Sequence, residues 1–371
     1  MLSFLRFTFT LLITAGIGFS AHASQKLEKL PSALPTSAGA QTQYADVPFE
    51  SFAVEVTQET GEEGDGTENT VKVYAEISRG QPGKKTFVLL NGLIYDIRRW
   101  NALSQALINE GHTVIRYAYS PQPESLRLNE EKNLAFLTKG LTLKNLSDEV
   151  EAVLKALNIE ERIQLVGLSF GSTVAAEYAS QYPDRIDSLI FLSPLIVPLD
   201  HYDPRGRGLR LWLNSVRFWE NIPCDFFGIA NPFLCSSRDY WFDSFYNFFY
   251  ENYLIGRVQN VPEDIDTALF KKSVFHLVRA ARDFDLRSYA PGLTNVSMFV
   301  AENDDFPLRV DQERTWNEIK ADQRRSYVLF KDVTHALPDE APAKTAELLS
   351  AISSKAPEWQ NGKKIEVPTQ P

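Results

Sequence analysis

The stretch RIQLVGLSFGSTVAAEYASQY, residues 162–182, decides the fold. RIQLV is a short apolar run of strand length, and the residues from Ser172 to Tyr182 read as a helix. Between them stands Gly167-Leu168-Ser169-Phe170-Gly171, a G-x-S-x-G set in the strand–turn–helix context that gives the motif meaning. Such a turn is strained and crowded, so it requires small residues on either side, which Gly167 and Gly171 supply. It lifts the Ser169 hydroxyl above the sheet edge. It also sets the Phe170 N–H at a helix N-terminus, facing any developing oxyanion.

Outward from this stretch the same rhythm repeats. TFVLL (86–90), TVIRYA (113–118) and IDSLIFL (186–192) read as strands, and apolar stripes over 98–110 and 146–157 read as helices. This alternation predicts an α/β fold with a largely parallel sheet. Before it, 49–57 and 71–78 alternate apolar and polar residues around the acidic, Gly-rich 61–69, which predicts an antiparallel edge hairpin. The carboxylates of that loop lack the spacing of a calcium loop and read as a solvated turn. The rhythm stops over 195–292 and resumes with a strand at 296–300, a helix at 310–320, a strand at 326–330 and a helix over 339–353. An interruption of this kind is an insertion, expected to sit over the C-terminal strand ends where open sheets bind ligands. The expected organisation is a core of 49–194 and 293–355, an aromatic-rich, mainly helical cap of 195–292, a flexible leader of 24–48 and a C-terminal tail of 356–371.

A nucleophilic serine needs a base, and the base an orienting acid, in the chain order Ser, Asp, His for this architecture. His335 leaves the strand at 326–330 at its C-terminal end. Of the five histidines it alone combines that position with that order. The acid is sought after the strand at 296–300, where Asp304 is chosen and Asp305 held in reserve, with Glu302 and Asp200 weaker. A second oxyanion donor is expected from the loop after TFVLL, where Gly92 permits a sharp turn and the Leu93 N–H would point at the oxyanion alongside that of Phe170.

These motifs and their order resemble the α/β-hydrolase fold family over roughly residues 49–353. The resemblance rests on Gly167-Leu168-Ser169-Phe170-Gly171, Asp304 in A-E-N-D-D, His335 in T-H-A-L-P, and the strand–Asn-Gly–helix segment ending in Arg99-Trp100. It implies a central, mostly parallel sheet, a cap inserted after the sixth strand, and no metal or organic cofactor. Members with haloalkane dehalogenase or epoxide hydrolase activity carry Asp as nucleophile, a chemistry that Ser169 argues against. The chain departs from the family's commonest pattern at Asn91, where a His usually precedes the Gly. How the oxyanion loop is held is therefore open.

The first 23 residues read as a secretory signal: Arg6 is the lone charge, residues 7–19 are apolar, and Ala21-His22-Ala23 offers a cleavage site before Ser24. An uncleaved anchor is the alternative. Export to a periplasmic or extracellular space makes Cys224 and Cys235 a disulfide candidate, worth about 3 kcal/mol by loop closure. A net charge of −10 over 371 residues argues against a nucleic-acid partner. The 24 Phe, 14 Tyr and 6 Trp are unevenly spread, with sixteen between His201 and Asn260 and the densest run, YWFDSFYNFFYENY, at 240–253. That run reads as cap core, as the lining of an apolar acyl pocket, or as a membrane-docking surface, the last weakened by its few basic residues. Together these readings predict an exported serine hydrolase acting on apolar small-molecule or lipid esters. The competing readings are a proline-iminopeptidase-like aminopeptidase and a non-catalytic binding protein on the same scaffold.

Overall fold

Ten strands form one sheet in the computed structural model of the chain, which describes residues 26–30, 47–59, 68–93, 95–196, 225–226, 229–230, 264–304, 309–354, 359 and 362–368. In chain order the elements are β1 (Leu27–Lys29), β2 (Glu50–Glu59), β3 (Glu68–Ser78), β4 (Thr86–Leu90), α1 (Asn101–Asn109), β5 (Thr113–Ala118), α2 (Leu143–Ala156), β6 (Ile163–Leu168), α3 (Phe170–Gln181) and β7 (Ile186–Leu192). They continue with β8 (Asp225–Phe226), β9 (Ile229–Ala230), α4 (Thr267–Ala280), β10 (Val296–Ala301), α5 (Arg309–Glu318), β11 (Arg324–Phe330), α6 (Pro342–Ser353) and β12 (Lys363–Val367). The large sheet runs β1-β2-β3-β5-β4-β6-β7-β10-β11-β12, while β8 and β9 pair with each other, antiparallel, in a separate sheet.

From β5 to β12 every pairing is parallel, and β1, β2 and β3 add an antiparallel edge. The expected α/β fold is therefore present, with the hairpin where the alternating sequence put it. The central strands are buried on both faces, which is why they read as unbroken apolar runs. Their side chains still divide by period two. Phe87 and Leu89 of β4 enter one apolar layer with Leu103 and Leu107 of α1 and Leu348 and Leu349 of α6. Val88 and Leu90 enter the other with Leu146 and Val150 of α2 and Val174 and Tyr178 of α3. The α2 helix begins where Thr142 and Asn145 form a reciprocal capping box, satisfying backbone donors that the first turn leaves open.

Three segments differ from the sequence reading. The leader contributes β1, which pairs with β2, and the tail contributes β12, which pairs with β11. Both are short and polar, so they lack an apolar pattern by which a strand is recognised. The expected helix over 339–353 is divided: a single turn at Leu337–Glu340 is followed by α6, which starts at Pro342. Proline is tolerated in a first turn and nowhere deeper. Within the expected insertion, the described parts are β8, β9, α4, the turn Leu286–Tyr289 and the adjoining loops. The signal segment 1–23, Cys224, Cys235, the aromatic run 240–253, Asp200 and Asp305 lie outside the described residues.

Candidate active site

The strand order determines where a ligand can sit. From β4 the chain steps to β5 on one side, then crosses back to β6 on the other. The helix following β4 packs on one face of the sheet and the helix following β6 on the opposite face. A crevice opens between two such strands beyond their C-terminal ends. Asn91-Gly92-Leu93 follows one of these strands and Ser169 the other, where such a crevice is expected.

Ser169 is half-buried, with φ at +51° and ψ at −115°, a conformation that non-glycine residues rarely adopt. Its backbone is held on both sides: its N–H donates to Leu192 O at 2.9 Å, and its carbonyl accepts from Ser172 N at 3.0 Å and Leu195 N at 3.3 Å. The flanking glycines are required by contact. A Cβ on Gly167 would lie 2.5 Å from the Gly171 carbonyl oxygen, and one on Gly171 would clash with the Leu90 carbonyl. The turn is thus packed backbone-to-backbone against the end of β4. Phe170 opens α3 and is buried.

Asp304 and His335 meet three and five residues beyond the C-terminal ends of the neighbouring strands β10 and β11. His335 Nδ1 lies 3.0 and 3.1 Å from the two carboxylate oxygens of Asp304. The Asp304 side chain is 0% exposed and that of His335 19%, so the carboxylate is sequestered while the imidazole keeps an open edge. Only β7 separates β6 from β10 in the sheet, so Ser169 leaves the same end of the sheet as this pair, about two strand spacings away. Glu302 is engaged elsewhere, with Lys331 Nζ at 2.9 Å and at the surface. His112 is buried between Lys85 N and Ser350 Oγ, and His276 is buried against Phe136 and Phe275.

The His335 loop has supports that motif reading does not reveal. The Glu340 carboxylate accepts from Thr334 N at 2.8 Å and from the Thr334 hydroxyl, fixing the residue before His335. Asp339 accepts from Arg99, whose guanidinium lies 4.3 Å over the Tyr95 ring. This pair ties the segment after β4 to the loop after β11. Burial raises the Asp339 carboxyl above its ordinary value, with Arg99 opposing.

The question left by Asn91 has a structural answer. Asn91 is completely buried, and its amide is saturated: Oδ1 accepts from Trp100 Nε1 at 2.6 Å, while Nδ2 donates to Tyr117 O at 3.1 Å and Gln122 Oε1 at 3.0 Å. Gly92 lies beside the Ser169 turn: a Cβ there would be in van der Waals contact with Ser169 Cβ, at 3.8 Å. Leu93 is half-buried against the core beside it.

Comparison with known proteins agrees with this architecture. Residues 85–252 match the family described as alpha/beta hydrolase fold. A 72-residue stretch is 39% identical to the cis-3-alkyl-4-alkyloxetan-2-one decarboxylase of Shewanella oneidensis, covering 19% of this chain and 22% of that protein. Among solved structures, a thermophilic esterase from Thermogutta terrifontis is similar at TM-score 0.54 and 18% identity, over 81% of this chain and 98% of that one. A lipase described as putative from Acinetobacter baumannii is similar at TM-score 0.52 and 15% identity, over 82% and 93%. By its sheet, its motif in place between β6 and α3, and these matches, the chain has the α/β-hydrolase fold.

Proposed function

We propose that the protein is an exported serine hydrolase that cleaves apolar carboxylic esters through an acyl-enzyme. The observation that carries this reading is the Asp304–His335 contact at the sheet end from which the strained Ser169 turn also emerges. In the proposed reaction, His335 donates Nδ1–H to Asp304 and uses Nε2 to take the Ser169 hydroxyl proton as Oγ bonds to the acyl carbon. The carbonyl electron pair moves onto oxygen, where the N–H groups of Leu93 and Phe170 receive it. Collapse expels the alkoxide, which leaves protonated by His335. Water then attacks the acyl-enzyme with His335 as base, releasing the acid and restoring Ser169. The buried Asp304 carboxylate favours the imidazolium that forms at each step. Each oxyanion donor is worth about 3 kcal/mol of barrier, comparable to a good part of the acid–base contribution.

The Shewanella oneidensis match adds one candidate within the ester class. By its name, a 3,4-dialkyl oxetan-2-one is a strained cyclic ester with two apolar arms. That relative is named for decarboxylating this ring; in the reaction proposed here, attack of Ser169 on the acyl carbon would instead open the ring, and water would release a 3-hydroxy acid.

The test presents purified protein with p-nitrophenyl esters of graded chain length, a dialkyl oxetanone and proline-naphthylamide. Turnover of esters, lost in Ser169→Ala together with fluorophosphonate labelling, is the expected result. Cleavage of the amide alone would replace the reading by an aminopeptidase. Turnover of none of them, with no labelling, would replace it by a binding protein.

A further inference from the structure

We propose that Tyr119 and Gln122, on the loop after β5, are positioning residues that hold the oxyanion-donor turn Asn91-Gly92-Leu93 in its working geometry. Neither would touch the reacting atoms, and the role rests on the hydrolase reading above.

The loop first closes on itself. Gln122 N donates to Tyr119 O at 2.7 Å, and Gln122 Oε1 accepts from Tyr119 N at 3.0 Å. Once folded back, it presents two donors to the neighbouring turn. Gln122 Nε2 donates to Gly92 O at 3.0 Å, and the Tyr119 hydroxyl donates to Asn91 O at 3.2 Å. These are the carbonyls of the two residues immediately before Leu93. A carbonyl held in place fixes the plane of its own peptide, and the Gly92 carbonyl shares its peptide plane with the Leu93 N–H. Gln122 therefore holds the far end of the dipole whose near end would meet the oxyanion. Gln122 Oε1 also accepts from Asn91 Nδ2, so one side chain grips both residues.

Tyr119 reaches the second donor as well. Its ring packs edge-on against Phe170 at 5.9 Å between centroids, and against Tyr117 at 5.3 Å. One fully buried residue thus bonds the turn carrying Leu93 and packs on the residue carrying the other N–H. An oxyanion hole is effective only when its two donors are fixed at one separation before charge develops. Tyr119 sets that spacing from behind, and Gln122 sets the orientation of one donor.

Tyr119→Phe removes one hydroxyl and keeps the packing; Gln122→Met keeps the length and removes every polar contact. With p-nitrophenyl esters, kcat is expected to fall about 10-fold in Tyr119→Phe and up to about 100-fold in Gln122→Met, with KM within about twofold of the wild type. The decisive reading is inhibition by an alkyl trifluoromethyl ketone. Ser169 Oγ adds to its carbonyl carbon, the carbonyl pair becomes an oxyanion, and the hydroxyl proton passes to His335. Its Ki should rise by the same factor as kcat falls, while inhibition by the carboxylic acid product stays unchanged. A fall in kcat without a rise in the ketone Ki, or wild-type kinetics in Tyr119→Phe, overturns the positioning role and leaves the hydrolase reading standing. A wild-type protein that neither turns over the esters nor binds the ketone overturns both.

Discussion

The turns after β6 and after β4 lie against each other at the C-terminal ends of adjacent strands and are held in different ways. The Ser169 turn is held chiefly through backbone: its glycines, its positive-φ serine and its helix are contiguous in the chain, and Ser169 pairs with the backbones of Leu192, Ser172 and Leu195. The Asn91-Gly92-Leu93 turn is held by side chains arriving from elsewhere: Trp100 nine positions away, Tyr119 twenty-eight and Gln122 thirty or more. A backbone-built turn can be written as a local motif. A turn built by side chains is distributed through the fold, and substitutions at its supports act at a distance.

Substitutions can break or sharpen this contrast. The largest effect is expected where the two turns touch: Gly171→Val would drive a branched side chain into the Leu90 and Asn91 carbonyls. Overpacking against immovable backbone should cost about 3 kcal/mol or more, lower Tm by roughly 6–10 °C in differential scanning fluorimetry, and remove activity with it. Next is the tie that bridges both regions. Arg99→Met would strand the Asp339 carboxylate, and Asp339→Asn would do the converse for Arg99; each should destabilise by about 1–3 kcal/mol. Chemical denaturation of both singles and the double mutant should give a coupling energy of about 0.5–3 kcal/mol; strict additivity would dissolve the tie.

The smallest effect at neutral pH is remote from both turns. Burial, with Arg279 and Lys272 adding to it, pushes His276 down to about 3. An unfolded His takes up a proton below about 6.5, so between those values the unfolded state binds more protons and stability falls as pH is lowered. His276→Leu should flatten that acid limb in urea titrations from pH 7 to 4, with little change at pH 7. An unaltered limb would mean that other groups set it.

This contrast also accounts for what was legible in the sequence. β4, β6, β7 and β10 are buried on both faces, so their apolar runs and the helical stripes between them were readable without neighbours. Ser169, Asp304 and His335 stood out because each follows a strand in an order that the fold constrains. Tyr119 and Gln122 carried no such sign. They lie in a stretch without periodicity, and their meaning depends on the return of β5 to the flank of β4. Glu340 and Asp339 were hidden for the same reason, as ordinary acids in a helical turn. At Asn91 the sequence showed that the expected histidine was missing, but the Trp100 and Gln122 contacts that complete its amide needed three dimensions.

The two borders of the sheet bear on how copies of the protein meet. β1 reads Leu-Glu-Lys and is exposed throughout, and β12 opens with two exposed lysines. Lys26, Lys29 and Lys72 are each drawn to glutamates along the first border, at 3.2, 2.5 and 3.3 Å. Extending the sheet into a second molecule across β12 would have to desolvate its exposed lysines; across β1 it would have to desolvate these ion pairs. Short, lysine-bearing margins are a standard defence against edge-to-edge aggregation. Among the described residues both borders of the sheet therefore carry charge, an arrangement that disfavours edge-to-edge pairing between copies.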